Sequence, residues 1–281
     1  MALGAGAQLW HMNCSSGACV MKFPEVCCGL HPTFGGKHWI SPGGTVIPGY
    51  GGKGLQGKRA EQLKAIAGYI VVDRYGKRYS NENLKQHSFY YEMALFDSRK
   101  LIFPRVPSYW IFDQKRMEDS PLVRQTNGPA GEAGLYAWSL DNSKELAQGW
   151  IIQGDTVQEL TVKLGMEGQT LVDTVANYNL YCKQGEDAEC HREPGYLIPL
   201  AQPPYYAVKL WPGGRNTQGG PRRNSKAQVI RADGKPVPRL YSTGECGSIF
   251  GMLYPAAGGN LAECFAFGRI AGEEAAKQRP L

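Results

Sequence analysis

The feature that most limits the possible folds lies near the carboxyl end. The run Leu240-Tyr241-Ser242-Thr243 reads as a strand. It passes into Gly244-Glu245, and a loop holding Gly247, Gly251 and Gly258-Gly259 delivers the chain to Asn260. From there to Lys277 the sequence NLAECFAFGRIAGEEAAK reads as a helix. A strand that reaches a helix start through so many glycines needs turns and close backbone approaches that other residues resist. The helix start itself offers unpaired N–H groups and partial positive charge. A ligand with an electron-rich carbonyl or a developing negative charge is stabilised at such a place. Equally, the glycines can serve only a tightly packed strand–helix crossover, and local chemistry alone leaves both readings open.

The 281 residues include 36 glycines, about twice ordinary usage, with no every-third-residue period. Hydrophobic residues at 42% and charged residues at 20% describe a globular chain of one or two domains. The net charge of +6 comes from 31 basic against 25 acidic residues, scattered apart from short groups such as Arg99-Lys100 and Arg222-Arg223. A nucleic-acid footprint needs clustering on one face, so no nucleic-acid partner is expected. Eight cysteines follow no leader-like segment, and no apolar run reaches the roughly 20 residues of a membrane span. The expectation is a reduced, soluble, cytoplasmic chain without a membrane span. No pair of cysteines has C-x-x-C spacing, so no metal site is expected.

Along the chain, residues 2–12 look like the end of a small-residue helix running into an extended segment, and Cys14 to about Gly54 reads as loops. Ala65–Asp73, a turn at Gly76 and Arg78–Ser80 form a predicted hairpin. Ser108–Asp113 is a strand, and a helix is expected over Trp138–Gln153. Thr156 should cap a helix through Leu164 that Gly165 stops, and Gln169–Lys183 should follow as a helix with Leu171, Val175 and Tyr178 on one stripe. Pro194–Pro204 marks a domain boundary. Short strands are expected at Ala207–Trp211, Ala227–Arg231 and Leu240–Thr243, with a turn at Asp233-Gly234.

Three ordered segments carry a family resemblance. Asn216-Thr217-Gln218-Gly219-Gly220, Leu240 to Glu245, and Gly258-Gly259-Asn260-Leu261-Ala262-Glu263 with Phe267 to Gly272 resemble the carboxyl-terminal flavin-binding motifs of the fumarate reductase and 3-ketosteroid dehydrogenase flavoprotein superfamily. Ile70 to Asp73, Gly76 to Glu82 and Ser108 to Asp113 are similar to that superfamily's entry into its substrate cap. The resemblance implies FAD as cofactor, with Gly219, Gly220, Gly244, Glu245, Gly259, Asn260 and Leu261 as its binding residues. These flavoproteins open with a strand, a G-x-G-x-x-G turn and a helix that hold the ADP half of the cofactor. That unit is not read here, and residues 1–12 resemble a later helix of the family. The expected fold class is therefore α/β with an α+β cap. An incomplete Rossmann-like FAD-binding domain, its amino-terminal dinucleotide-binding unit missing, would carry an inserted substrate-capping domain. The expected boundaries are 1–54 for a remnant of the FAD-binding domain, 55–205 for the cap and 206–281 for the returning part.

The fumarate reductase branch grips a dicarboxylate with arginine and histidine. Where that branch has such groups this chain has Asn216, Ala256 and Gln86, although His31-Pro32-Thr33 matches its His-Pro-Thr. Tyr254-Pro255-Ala256-Ala257-Gly258 instead resembles the ketosteroid dehydrogenase branch. The resemblance implies that the Tyr254 hydroxyl and the Gly258 N–H bind a ketone oxygen. The branch's usual tyrosine base is replaced by Gln86, which leaves His87 as the candidate for proton transfer, with Tyr90 and Tyr91 as alternatives. The expected activity is oxidation or reduction of a CH–CH bond beside a ketone in a small, apolar, steroid-like substrate, with room for an electron-transfer partner. The alternatives are a fumarate reductase-like enoate reductase, or a non-catalytic fragment or subunit needing a separate amino-terminal half.

Overall fold

A computed structural model describes residues 1–34, 67–84, 86–123, 135–214, 216–252 and 258–279, with the side chains of 86 and 87 excepted. The chain divides into two compact units, Met1–Gly17 with Gly214–Leu281, and Ala18–Gly213.

In the first unit, β1 (Leu9–Trp10) pairs antiparallel with β7 (Gly220–Pro221), and β8 (Gln228–Ile230) pairs with β9 (Pro236–Tyr241). The expected turn at Asp233-Gly234 joins β8 to β9, with Gly234 at φ +81°. The last helix, α6, runs Gly259–Ala276 as predicted. At the amino end the expected helix is a single 3-10 turn, Leu3–Ala5, which Gly6 ends at φ +80°. Two glycines within three residues leave too little side chain to sustain more.

The second unit is built on an antiparallel five-stranded sheet in the order β2 (Ala18–Val20), β6 (Tyr205–Gly213), β4 (Ser108–Asp113), β3 (Tyr69–Val72), with β5 (Ile152–Gly154) also paired to β6. Every residue of β3 and β4 is buried, because both faces of the sheet are covered. One face carries Tyr69, Val71, Trp110, Phe112, Tyr206 and Val208, packed with Phe89 and Met93 of α1 (Gln86–Met93) and Met117 of α2 (Gln114–Asp119). The other carries Ile70, Val72, Tyr109, Ile111 and Ala207 against Leu160 of α4 (Val157–Lys163) and Leu171, Val175 and Tyr178 of α5 (Thr170–Gln184). Two covered faces explain why YIVV and SYWIFD are unbroken apolar runs and not alternating ones. Among the described residues every named strand pair is antiparallel.

Thr156 caps α4 as expected, its hydroxyl accepting from the Glu159 N–H at 3.1 Å while Glu159 accepts from the Asp155 N–H at 2.8 Å. Gly165 follows at φ +67°. The predicted hairpin forms around Gly76 at φ +85°, with Val72 bridged to Arg78. The helix expected over 138–153 is corrected. Only α3 (Ser143–Ala147) is helical, Gly149 adopts φ +74°, and the chain then enters β5. The buried Glu145 takes part in the late start of this helix, because it accepts from the Ser139 N–H at 3.0 Å and the Tyr136 hydroxyl at 2.7 Å and so holds the preceding segment as loop. The region read as loops from Cys14 contains edge strand β2, and its part beyond residue 34 lies outside the described residues.

A buried ionic cluster ties the hairpin to the segment before the proline-rich connector. Arg78 donates to Glu82 (Nε to Oε1 2.9 Å, Nη2 to Oε2 2.8 Å) and to Asp187 (Nη1 to Oδ1 3.0 Å, Nη2 to Oδ2 2.8 Å). Arg192 reaches the Tyr69 carbonyl at 2.6 Å. Burial alone raises the Asp187 carboxyl, but the Arg78 guanidinium and the N–H groups of Cys190 and Arg192 outweigh it and hold it at about 2. A folded value below the unfolded one means that this stabilisation is complete above the ordinary aspartate range and is lost as pH falls from about 4 toward 2. Replacing Asp187 by Ala leaves Arg78 short of a buried partner and should cost about 3–5 kcal/mol in urea unfolding. The wild-type margin over this variant should shrink as the pH is lowered through that window.

Candidate functional site

The glycine loop of the first unit is built from backbone contacts that exclude side chains. Gly247 N–H donates to the Gly219 carbonyl at 3.1 Å, and Ser248 N–H donates to the Gln218 carbonyl at 2.9 Å. A Cβ on Gly220 would overlap the backbone of Gly247, and one on Gly247, at φ +78°, would overlap the Pro221 carbonyl. The expected segment 216–220 is thereby locked to residues 247–248, which directly follow the expected segment 240–245.

The third segment joins through side chains. Asn260 and Glu263 are the two buried residues of α6 and lie three apart on one face. Asn260 Nδ2 donates to Glu245 Oε1, and Gln218 Nε2 donates to Ser16 Oγ at 2.7 Å and to Asn260 Oδ1 at 3.4 Å. The chain Ser16–Gln218–Asn260–Glu245 thus runs through all three motifs. Glu263 accepts from Arg223 Nη2, from Ser248 Oγ at 2.7 Å and from the Ile249 N–H at 2.8 Å. Arg223 Nη1 donates to the carbonyls of Gly244 at 3.1 Å and Cys246 at 3.2 Å, and its guanidinium lies 4.4 Å from the Phe267 ring centre. Both charged side chains of this pair have no exposed surface. Burial pushes the Arg223 guanidinium below its ordinary range, with Glu263 acting in the opposite direction.

His11 was not anticipated. Its ring stacks on Trp10 with centres 4.7 Å apart, and Nδ1 lies 2.7 Å from the Ser248 carbonyl oxygen. A carbonyl only accepts, so Nδ1 carries the hydrogen and Nε2 of the neutral ring is left as an acceptor. The Nε2 edge faces Gly251. Arg223 and Glu263 were also missed as a pair. Forty positions separate them, and the only local signal was that Glu263 shares a helix face with Asn260.

Of the expected cofactor residues, Gly219, Gly220, Gly244, Glu245, Gly259 and Asn260 come together in this unit. Leu261 sits in the same first turn with its side chain 64% exposed. Gly258, at φ +86°, precedes the helix with open space where a Cβ would stand. Tyr254 and the side chain of His87 lie outside the described residues, and the His87 backbone belongs to α1 of the second unit. His31 is buried in the second unit beside Pro32, which bridges Val123. The spacing G-x-G-x-x-G does occur, in two overlapping frames that start at Gly49 and Gly52 within Gly49-Tyr50-Gly51-Gly52-Lys53-Gly54-Leu55-Gln56-Gly57, outside the described residues.

The residues present fit a flavin nucleotide. The first intrahelical bond of α6 is Ala262 N–H to the Gly258 carbonyl at 2.9 Å, so the N–H groups before it need partners from outside the helix. Gln218 Oε1 is buried without a hydrogen-bond partner among the described residues. Such donors, with an unpaired acceptor on the Gln218 side chain that bonds Asn260 in the first turn of the helix, suit the alternating carbonyl and N–H edge of a flavin ring.

The comparisons agree with this geometry. The family model described as an FAD binding domain (FAD_binding_2) matches residues 50–261. The chain belongs to this flavoprotein family, whose cofactor is FAD. Within it, the 4-oxocyclohex-2-ene-1-carboxylate 5-dehydrogenase of Sinomonas cyclohexanicum is 29% identical over 233 residues, covering 76% of this chain and 37% of that protein. A 3-oxosteroid 1-dehydrogenase of Mycobacterium tuberculosis is 30% identical over 229 residues, covering 75% of this chain and 39% of that protein. The crystal structure of the 3-ketosteroid Δ1-dehydrogenase of Sterolibacterium denitrificans aligns with a TM-score of 0.71 at 22% identity, over 99% of this chain and 46% of that one, which shows the shared fold. The chain spans less than half the length of these relatives. No helix among the described residues is long and apolar enough to cross a membrane.

Two substitutions test the site's construction. Gly247→Ala combines a left-handed backbone with a carbonyl collision and should lower stability by about 1–3 kcal/mol, whereas Gly258→Ala meets only the backbone penalty and should cost about 1 kcal/mol. Thermal unfolding ranks the two. Arg223→Met strands a buried carboxylate and should cost about 3–5 kcal/mol, most of it recovered in Arg223→Met/Glu263→Met. An additive double variant in denaturant unfolding would remove the pairing argument.

Proposed function

We propose that the protein is an FAD-dependent oxidoreductase acting on a CH–CH bond beside a ketone, of the 3-ketosteroid dehydrogenase type. The observation that carries this reading is the convergence of Gln218, Gly219-Gly220, Glu245 and Asn260 on the start of α6, immediately after the Tyr254-Pro255-Ala256-Ala257-Gly258 segment. That segment resembles the ketone-binding motif of the branch. The named dehydrogenase relatives act, by their names, on oxo-substituted rings, which supports a cyclic ketone as substrate.

FAD supplies the hydride chemistry when bound. The residues of this chain do the rest. The Tyr254 hydroxyl and the Gly258 N–H hold the carbonyl oxygen and stabilise the negative charge that grows on it as the neighbouring carbon loses its proton. His87 moves that proton, an imidazole being suited to transfer near neutral pH. Residues 55–205 form the cap that excludes water from the substrate, and 206–281 return to the flavin domain. The ADP half of the cofactor would be held by an amino-terminal dinucleotide-binding unit of the kind the family has. A dicarboxylate is the poorer substrate, because Asn216, Ala256 and Gln86 carry no positive charge for its carboxylates.

Purified protein mixed with FAD should quench flavin fluorescence and sharpen the visible bands. In a dye-coupled assay it should turn over a 3-ketosteroid and not fumarate, and the opposite preference would refute the branch. Tyr254→Phe should lower turnover about 100-fold, the scale of one lost oxyanion donor, with flavin binding unchanged.

A further inference from the structure

Between α1 and β4 the second unit carries a small hairpin whose composition is unsuited to water. Asp97 N–H donates to the Ile102 carbonyl at 2.8 Å and closes the turn, and Asp97 Oδ1 accepts from the N–H groups of Arg99 at 2.9 Å and Lys100 at 3.1 Å. Around this frame Leu95, Phe96, Leu101 and Phe103 are all exposed, Leu101 at 74%. The rings of Phe96 and Phe103 pack on one another with centres 5.0 Å apart, and Lys100 Nζ lies 5.4 Å from the ring centre of the exposed Tyr75. Single exposed apolar residues are ordinary, but four large ones gathered on one turn, with a fifth, Tyr75, beside it, are not.

Leu101 sharpens the point, because its backbone sits at φ +54°. Asparagine or glycine would hold that conformation with less strain and would suit water better. A leucine there is disfavoured by backbone and by solvent alike, so its side chain has a use outside the folded unit. The charge pattern says what kind of use. The turn carries Arg99 and Lys100 against the single carboxylate of Asp97, and the neighbouring Glu92 is matched by Arg105 at 2.8 Å. Leucine and aromatic rings interleaved with uncompensated cations match a surface that is apolar and negatively charged within a few ångströms of depth. An anionic bilayer interface is such a surface.

We propose that the Asp97–Ile102 hairpin docks the protein peripherally on anionic lipid, with Leu101 and the Phe96–Phe103 pair entering the headgroup boundary and Arg99 and Lys100 contacting lipid phosphates. The proposal is independent of the catalytic reading and needs no bound flavin to be tested. In co-sedimentation, the purified protein should pellet with vesicles of equal parts phosphatidylglycerol and phosphatidylcholine and stay in the supernatant with phosphatidylcholine alone. Leu101→Asn relieves the backbone while removing the apolar side chain, so it should keep the wild-type unfolding temperature and lose binding by about tenfold. Arg99→Glu/Lys100→Glu changes only exposed charges and should lose binding by about tenfold or more. The proposal is overturned if wild-type protein does not pellet, if either variant binds as wild type does, or if sedimentation velocity shows a self-associated species that Leu101→Asn dissociates. That last result would assign the patch to a second copy of the chain.

Discussion

The first unit depends on an ion pair that water does not reach. Removing a guanidinium and a carboxylate from solvent is expensive, and the loss is offset only where every remaining donor and acceptor finds good geometry. Arg223 and Glu263 meet most of that demand by spreading outward, with Arg223 Nε left without a hydrogen-bond partner among the described residues. Between them they engage the carbonyls of Gly244 and Cys246, the hydroxyl of Ser248 and the N–H of Ile249. Those four groups belong to the glycine loop, so satisfying the pair and shaping the loop are one event. Glycine would otherwise leave that loop with many conformations. A neutral pair of the same size would hold the helix against the strands but would not specify the path of residues 244–249.

The second unit solves a different problem by similar means. Its sheet is apolar on both faces, which fixes the packing of α1 and α2 on one side and α4 and α5 on the other. The polar links are placed where elements end. Arg78 with Glu82 and Asp187 closes one such junction, and Asn142 closes another by accepting from Trp138 Nε1 and the Leu122 N–H at 2.8 Å each. Burial there makes each link sensitive to the loss of a single partner.

What could be seen in the sequence follows from the range of the interactions involved. The α4 cap at Thr156, the stop at Gly165, the apolar stripe of α5 and the strand SYWIFD are set by neighbours a few residues apart, and these are where expectation and structure coincide. The glycine motifs were legible because backbone approach demands a residue type. The short α3 was not, since Glu145 is bound by Tyr136 and Ser139 in a fold that periodicity cannot register. Arg223 was hidden for the same reason. In the sequence it is one of two adjacent arginines, and only the folded unit shows that one is buried on Glu263 while Arg222 reaches Gln8 at 3.0 Å.

Six described residues other than glycine adopt left-handed backbone, Ala227, His191 and Arg239 among them, and three of the six bear on the remaining cases. Asn142 and His11 adopt it at φ +62° and +53°, and each has an internal reason. The Asn142 amide donates to the Met117 carbonyl at 2.9 Å, and the His11 ring bonds Ser248 while stacking on Trp10. Strain at these two positions is balanced within the unit that contains it. At Leu101 the side chain is turned to solvent and has no polar atom with which to answer the strain. A conformational cost with no internal compensation is expected where the compensation comes from outside. By that comparison the hairpin, and not the asparagine, is the place where the second unit meets something beyond itself.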